Sequence, residues 1–221
     1  YGIMNALNEP FGWTNGVNKL YQTLSADFVY EDPMTNVNFL DNHDLSRVYS
    51  VLGEDADKVK IAIAWLLTCR GIPQMYYGTE ILMKGFTNPD GWVRLDFPGG
   101  WAGDKTNKFT AEGRTEKENE VFNWTRTLAT FRKNSSALTT GKMMQYVPVN
   151  GVYVYFRYDD NQTVMCVMNT TSTSVDLDLS RFAERIQGFT SGVEITTGKK
   201  SLLNNSLTVP GKYMLVLNLS K

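Results

Sequence analysis

The sequence has few of the residues that hold metal ions. Its 221 residues include one histidine and two cysteines, Cys69 and Cys166. The His and Cys sets of a zinc finger, a zinc protease or an iron–sulfur site therefore cannot be assembled from this chain. Two cysteines so far apart in sequence do not define a disulfide, and we expect two buried free thiols because cysteine is among the most often buried residues.

The chain also lacks an excess of charge and a long apolar run. It carries 22 basic and 23 acidic side chains, a formal net charge of −1. Without a basic patch it lacks the electrostatic footprint of a nucleic-acid binder, so no nucleic-acid partner is expected. No window reaches the roughly 18 apolar residues of a membrane-spanning helix. At 42% hydrophobic residues, however, the chain can bury a core.

Up to about residue 138 the pattern is typical of β/α units on a parallel sheet. The clearest unit has an apolar strand at 37–40, a helix over about 55–70 and a second apolar run at 72–77. This length fits one right-handed strand–helix–strand crossover. A further helix is predicted over about 115–135, and a Thr-x-x-Glu capping-box pattern opens it.

Beyond residue 141 the hydrophobic period changes to two. Asn150-Gly151 favours the tight primed turn of a β-hairpin. Short β-rich runs occur at 152–156, 163–169, 175–179 and 213–219. They predict a small antiparallel β domain, a sandwich of about 80 residues. The predicted fold class is thus α/β plus all-β, divided into residues 1–138 and 139–221.

The densest polar cluster follows the apolar strand at 37–40. It contains Asp41, Asn42, His43, Asp44 and Arg47. Parallel α/β sheets and barrels place active-site groups at the carboxyl ends of their strands. A capping and salt-bridge network would have the same composition, because polar residues gather in loops in any case. The residues alone leave both interpretations open.

Two segments carry a family resemblance. FLDNHD, at residues 39–44, resembles the seventh-strand signature of the α-amylase family of glycoside hydrolases, and GIPQMYYGTE, at 71–80, resembles its eighth-strand segment. Ile72, Met75 and Tyr76 of the second segment are expected to fill the barrel core. The resemblance implies the C-terminal part of a (β/α)8 TIM barrel, about strands six to eight, followed by the family's C-terminal β domain. The two segments are most similar in sequence to those of neopullulanases and cyclomaltodextrinases.

The family mechanism implies roles for the cluster. Retaining glycosidases use a carboxylate nucleophile and an acid/base carboxyl group around an oxocarbenium-like transition state. By resemblance, Asp44 is a third carboxylate, the transition-state stabiliser that holds two hydroxyls of the distorting sugar, and His43 adds a hydrogen bond to the same sugar. Neither transfers a proton. The candidate substrate-binding residues are Asn42, Arg47, Tyr77, Glu80, Trp92 and Arg94.

Individual candidates carry further expectations. Asn42 is expected to position the loop, and Arg47 either orients a carboxylate or pairs with Asp41. Tyr77 and Glu80 stand near the end of the eighth strand and are expected to border the sugar cleft.

The loop after the eighth strand is rich in aromatic residues. Phe86, Trp92 and Trp101 either form a subsite wall, because flat apolar rings match the C–H faces of glucose, or pack beneath the loop. The family commonly has an Asn–Arg pair in this loop, whereas here Val93 precedes Arg94.

The resemblance also implies what this chain does not hold. The family's nucleophile and acid/base residues belong to strands four and five, upstream of Tyr1. A complete barrel takes about 200 or more residues, so residues 1–138 are expected to form an incomplete one. We expect the chain alone to be inactive and to need the missing barrel segment or a second copy for stability, since a partial barrel leaves a strand edge and apolar surface uncovered.

The implied substrates are α-glucans. The expected reaction is retaining hydrolysis of α-1,4 bonds in starch-derived oligosaccharides, cyclodextrins or pullulan. No metal or cofactor is expected in this chain, with calcium in the longer protein left open. The expected location is the bacterial periplasm or the exterior. The alternatives are a transglycosylase of the same family and a non-catalytic carbohydrate-binding or scaffold module.

Overall fold

The computed structural model describes residues 2–221, and its first part contains helices around a short parallel strand pair. β1 (Val37–Phe39) and β2 (Ile72–Gln74) pair in parallel, with Val37 opposite Ile72. This confirms the strand–helix–strand unit, although β2 ends at Gln74 and is shorter than the predicted run 72–77. The elements are α1 (Gly2–Asn8), α2 (Val17–Ser25), β1 (Val37–Phe39), α3 (Val48–Val51), α4 (Ala56–Thr68), β2 (Ile72–Gln74), α5 (Glu116–Lys133) and α6 (Ser136–Thr139).

The central helix α4 begins where the sequence predicts it. The side chain of Asp55 accepts hydrogen bonds from the backbone N–H groups of Asp57 and Lys58, which satisfies donors that a helix start leaves free. Most of its side chains are buried, from Val59 to Leu67. A helix that is apolar on nearly all sides is covered on nearly all sides. It packs against α5, against α1 and against the last strand of the chain, residues 213–220.

The predicted capping box opens α5. Thr115 Oγ1 accepts from the N–H of Glu118 at 3.3 Å, and the carboxylate of Glu118 accepts from the N–H of Thr115 at 2.8 Å. Val121 and Leu128 are buried against α4. The helix predicted over about 115–135 is confirmed.

The second part is a two-layer antiparallel β structure. The elements are β3 (Lys142–Gln145), β4 (Val152–Tyr158), β5 (Thr163–Asn169), β6 (Val175–Asp178), α7 (Ala183–Ile186), β7 (Ser191–Glu194), β8 (Lys200–Leu202), β9 (Ser206–Val209) and β10 (Tyr213–Ser220). A six-stranded sheet has the order β3-β4-β5-β10-β7-β8, and β6 with β9 forms a two-stranded sheet. Phe156, Leu217, Phe182 and Leu207 belong to one buried apolar cluster. The predicted sandwich is confirmed.

The hairpin between β3 and β4 turns as predicted. Asn150 and Gly151 both have positive φ, 49° and 81°, and Val149 pairs with Val152 across the turn. The last helix ends at Thr139 and β3 begins at Lys142. The domain division between residues 138 and 139 stays a prediction.

Two buried arginines hold the end of α4. Arg132, on α5, donates to the carbonyls of Leu67, Cys69 and Gly71 at 3.0, 3.2 and 2.7 Å. Arg157, on β4, donates to the carbonyls of Thr68 and Cys69 at 3.0 and 2.7 Å, and to that of Gly141 at 2.9 Å. Carbonyls at a helix C-terminus lack partners within the helix and attract cations. The β domain, through Arg157, therefore helps to fix the end of α4.

Candidate active site

The polar cluster after β1 is split by burial. Asp41 and Arg47 are buried, whereas the side chains of His43 and Asp44 are 65% and 63% exposed. The capping interpretation therefore suits the buried members of the motif, and the active-site interpretation stays a prediction for the exposed ones.

Asp41 has a structural contact pattern. Its Oδ2 accepts from the backbone N–H of Val48 at 2.9 Å, and its Oδ1 accepts from the hydroxyl of Thr79 at 2.9 Å. Burial raises the pKa of Asp41 above its ordinary value. The side chain joins the start of α3 to the segment after β2, so the capping interpretation describes this residue.

Arg47 also faces inward, which differs from the prediction. Its side chain is 0% exposed, and its guanidinium lies 4.1 Å from the ring centre of Tyr76. The ion pair with Asp41, one of the two expectations for Arg47, is not formed: Arg47 Nη1 donates to the carbonyl of Tyr77 at 2.5 Å, and the oxygens of Asp41 accept from Val48 and Thr79. A fully buried guanidinium has no surface for a sugar, so the predicted substrate contact of Arg47 is not available in this structure.

The structure brings Asn42, His43, Asp44 and Arg94 together at the carboxyl end of β1. His43 Nε2 lies 3.2 Å from Asp44 Oδ2, and Asn42 Oδ1 accepts from the backbone N–H of Asp44 at 2.8 Å. Arg94 Nε donates to the carbonyl of His43 at 2.9 Å, and its Nη2 lies 3.4 Å from Asp44 Oδ1. The result is an exposed carboxylate–imidazole pair backed by a guanidinium, which can donate and accept several hydrogen bonds to a polyhydroxy ligand.

Tyr77 and Glu80 follow β2, on the strand beside β1. The hydroxyl of Tyr77 donates to the carbonyl of Leu95 at 2.7 Å, and its ring is partly exposed. Glu80 is half-buried in a turn, and burial raises the pKa of its carboxyl group. The hydroxyl of Tyr77 is thus already used within the protein.

The loop after β2 presents its aromatic rings to solvent. Phe86, Trp92 and Trp101 are 55%, 58% and 67% exposed, an arrangement that agrees with a wall rather than with packing beneath the loop. Phe97 and Phe109 pack together instead, with ring centres 4.4 Å apart.

Sequence reasoning assigned no role to Asp90. Its Oδ1 lies 3.4 Å from Arg94 Nη2, so this guanidinium is shared between two carboxylates. The four-residue spacing between Asp90 and Arg94 is the signal that could have indicated the pair.

One side of the parallel pair is open. Val37 and Ile72, which face each other across β1 and β2, are 50% and 52% exposed, and the predicted core position of Ile72 is therefore wrong for this chain. A groove of about 440 Å³ runs beside β1, lined by apolar side chains such as Leu20, Leu24 and Trp65. His43 and Asp44 are not among the residues of this groove.

Within residues 2–221 no group of three or more His, Cys, Asp or Glu side chains is placed to hold a metal ion. No helix in the same range has the length and apolar character needed to cross a membrane.

Comparison with known families adds to this geometry. The family described as "Alpha amylase, catalytic domain" matches residues 13–139, and the one described as "Cyclo-malto-dextrinase C-terminal domain" matches residues 143–218. The chain belongs to the alpha-amylase family. This confirms the family resemblance carried by the two sequence motifs.

Curated relatives in the alpha-amylase family align with most of this chain. A cyclomaltodextrin glucanotransferase from Geobacillus stearothermophilus is 28% identical over 205 residues, and an alpha-amylase from Niallia circulans is 28% identical over 197. These alignments cover 89% and 86% of this chain but only 26% and 34% of the two relatives. The chain therefore spans about a third or less of the relatives it matches.

Solved alpha-amylase family structures share the fold. An alpha-amylase from Geobacillus thermoleovorans complexed with acarbose superposes with a TM-score of 0.76 at 21% identity, covering 100% of this chain and 46% of its own. CldA, a cyclomaltodextrin glucanotransferase with three domains, gives 0.73 at 25% identity, covering 98% and 43%. The predicted fold class, the C-terminal part of a TIM barrel followed by a β-sandwich, is confirmed.

Proposed function

We propose that this chain is part of a retaining α-glucan hydrolase that cleaves α-1,4 bonds of starch-derived oligosaccharides, cyclodextrins or pullulan. One observation carries the proposal: an exposed His43–Asp44 pair lies at the carboxyl end of β1, next to β2. Relatives named alpha-amylase and cyclomaltodextrin glucanotransferase support the substrate class. The match of residues 143–218 to a cyclomaltodextrinase domain supports that branch of the family.

Asp44 acts on the sugar and not on the glycosidic oxygen. As the reacting ring flattens toward an oxocarbenium-like transition state, its ring hydroxyls move and become better donors. The carboxylate of Asp44 accepts from two of them, and the imidazole of His43 supplies a further hydrogen bond to the same ring. Charge-assisted hydrogen bonds that strengthen only in the transition state lower the barrier without any proton transfer by these residues.

The nucleophile and the acid/base belong outside this chain. β1 and β2 form a two-stranded sheet with an open side, and the chain spans 26% of the glucanotransferase relative. A barrel needs eight strands to close and to bring catalytic groups from several strand ends together. The chain alone should therefore release no reducing sugar from maltotriose, and the rest of the barrel should cover the groove beside β1.

The experiment that tests the role of Asp44 is Asp44→Asn in the full-length enzyme that carries this chain. Turnover should fall about a hundredfold or more, because one transition-state contact is worth roughly 3 kcal/mol. The thermal midpoint should change little, since the side chain is mostly exposed. Asp160→Asn, in the exposed turn between β4 and β5, is the matched control. Near-normal turnover in Asp44→Asn would reject the proposed role.

Transglycosylation is the second candidate, and the glucanotransferase relatives favour it. The acceptor is then a sugar hydroxyl instead of water. Product analysis of the full-length enzyme with and without added glucose separates the two, because only a transferase gives longer or cyclic products that respond to the acceptor. If the chain is instead a non-catalytic binding module, its Asp44→Ala variant should still bind maltotriose in calorimetry, and its Trp92→Ala variant should lose that binding.

A further inference from the structure

A closed set of contacts surrounds the His43–Asp44 pair, and it begins at Arg47. The buried guanidinium of Arg47 lies 4.1 Å from the ring centre of Tyr76 and 4.7 Å from that of Tyr77. Its Nη1 donates to the carbonyl of Tyr77 at 2.5 Å, and its backbone N–H donates to the carbonyl of Gly85 at 2.9 Å. Stacking of a desolvated guanidinium on an aromatic ring is worth about 2 kcal/mol. Arg47 thereby holds both tyrosines in place.

The two tyrosines hold the next segment of the set. The hydroxyl of Tyr77 donates to the carbonyl of Leu95 at 2.7 Å, and that of Tyr76 donates to the carbonyl of Val93 at 3.3 Å. These two carbonyls flank Arg94 in sequence. The backbone on both sides of Arg94 is therefore anchored to the end of β2.

Arg94 completes the set by returning to the candidate site. It donates to the carbonyl of His43 at 2.9 Å and lies 3.4 Å from the carboxylate of Asp44. Asp44 stands only three residues before Arg47 in sequence, so the contacts form a ring: Arg47 to the tyrosines, the tyrosines to the loop, and Arg94 to His43 and Asp44.

The contact between Arg94 and Asp44 is too weak to fix the geometry of the site by itself. An exposed ion pair between flexible side chains is worth only about 0–1 kcal/mol and does not by itself hold one geometry. The Arg94 and Asp44 side chains are 46% and 63% exposed, so their contact needs anchors at both ends. The fully buried side chain of Arg47 and the partly buried hydrogen bond of Tyr76 provide them, at a site where a displacement of about 1 Å can cost a hundredfold in rate.

We propose that Arg47, Tyr76 and Tyr77 are positioning residues that orient Asp44 and His43 through Arg94. This inference deepens the proposed function, on which its kinetic part rests. It replaces the substrate contact predicted for Arg47, and it gives the hydroxyl of Tyr77 a partner within the protein in place of a sugar.

The test is Tyr77→Phe, which keeps the ring beside Arg47 and removes only the hydroxyl. In the full-length enzyme kcat should fall about tenfold with KM within about twofold, the pattern of an orientation defect. Tyr146→Phe is the matched control, because it removes a tyrosine hydroxyl bonded at 2.9 Å to Glu184 in the β domain. An unchanged kcat in Tyr77→Phe overturns the inference.

A double variant shows whether Tyr77 acts through Asp44. If it does, adding Tyr77→Phe to Asp44→Asn should lower kcat by less than about threefold, because residues that act as a unit are not additive. A full further tenfold loss would mean that Tyr77 acts independently and would contradict the ring. Arg47→Lys, which keeps the charge but not the planar stack, should behave like Tyr77→Phe if it folds.

A second readout keeps the two proposals separate. The chain has one histidine, so the imidazole region of a ¹H–¹³C NMR spectrum of this chain contains the signals of His43 alone. Tyr77→Phe should shift these signals, and Tyr146→Phe should leave them in place. Unmoved signals in Tyr77→Phe count against the positioning role even if Asp44→Asn is inactive. Shifted signals with a fully active Asp44→Asn would support the ring and reject the proposed function.

Discussion

At the scale of the residue, burial within one short motif decides which side chains can reach a ligand. Asp41 and Arg47 face inward and hold neighbouring segments, whereas His43 and Asp44 face solvent. A loop that leaves a strand end must satisfy its own polar groups before it can present others. Asn42 does so locally by accepting from the N–H of Asp44.

The two cysteines give a prediction at this scale. Both are free and buried, as expected from the sequence, and burial raises the pKa of Cys69 to about 11 and that of Cys166 to about 12. Alkylation requires the thiolate and access. At pH 8 iodoacetamide should leave the folded chain unmodified for hours and add two carbamidomethyl groups after denaturation, as measured by intact mass. Rapid labelling of the folded chain would contradict this burial.

At the scale of the element, local signals start helices, and distant side chains complete them. Asp55 and Thr115 begin α4 and α5 through their own side chains. The end of α4 has no such local partner. Its carbonyls are bound by Arg132 and Arg157, which stand more than 60 residues further along the chain.

The contribution of Arg132 to stability can be measured by comparing two substitutions on α5. Arg132→Met leaves the carbonyls of Leu67 and Gly71 without their buried donor, so the free energy of unfolding should fall by about 3 kcal/mol. Arg126→Met, on the exposed side of α5, should change it by less than about 0.5 kcal/mol. Urea unfolding followed by circular dichroism compares the two. Equal midpoints would show that the buried arginine does not stabilise the end of α4.

At the scale of the whole molecule, the parallel pair and the sandwich differ in how fully their apolar side chains are covered. The sandwich buries its apolar cluster between two sheets, with Phe156, Phe182 and Leu217 fully inaccessible. The parallel pair has Val37, Phe39 and Ile72 exposed beside a groove of about 440 Å³. Exposed apolar strand surface of this kind favours association with another chain segment.

Because β1 and β2 expose this apolar face, we expect the isolated chain to self-associate at micromolar concentrations in sedimentation velocity. The double variant Val37→Lys/Ile72→Lys should shift the chain toward the monomer. Leu202→Lys, at a similarly exposed position on β8, should have no such effect. In the full-length enzyme the double variant should instead lower the thermal midpoint, because we propose that the rest of the barrel covers this face. A wild-type chain that stays monomeric would argue against exposed apolar strand surface.

Part of the fold, and the family, could be predicted from the sequence. The period change near residue 141, the capping box at Thr115 and the Asn150-Gly151 turn predicted the two architectures and several element ends. The two motifs at 39–44 and 71–80 predicted the family. Strands β3, β7, β8 and β9 were not predicted. Each has only three or four residues, too few to show a period, whereas the equally short β1, β2 and β6 lie within longer apolar or alternating runs.

The sequence by itself determined the local structure and the family, because capping, turn geometry and hydrophobic period act over a few residues. Only the tertiary structure decided the direction of each polar side chain. Arg47 packs on tyrosines about thirty residues away, and Arg94 reaches Asp44 across 50 residues. Such contacts depend on where the strand ends come together in space, and the spacing of residues within one motif carries no information about that.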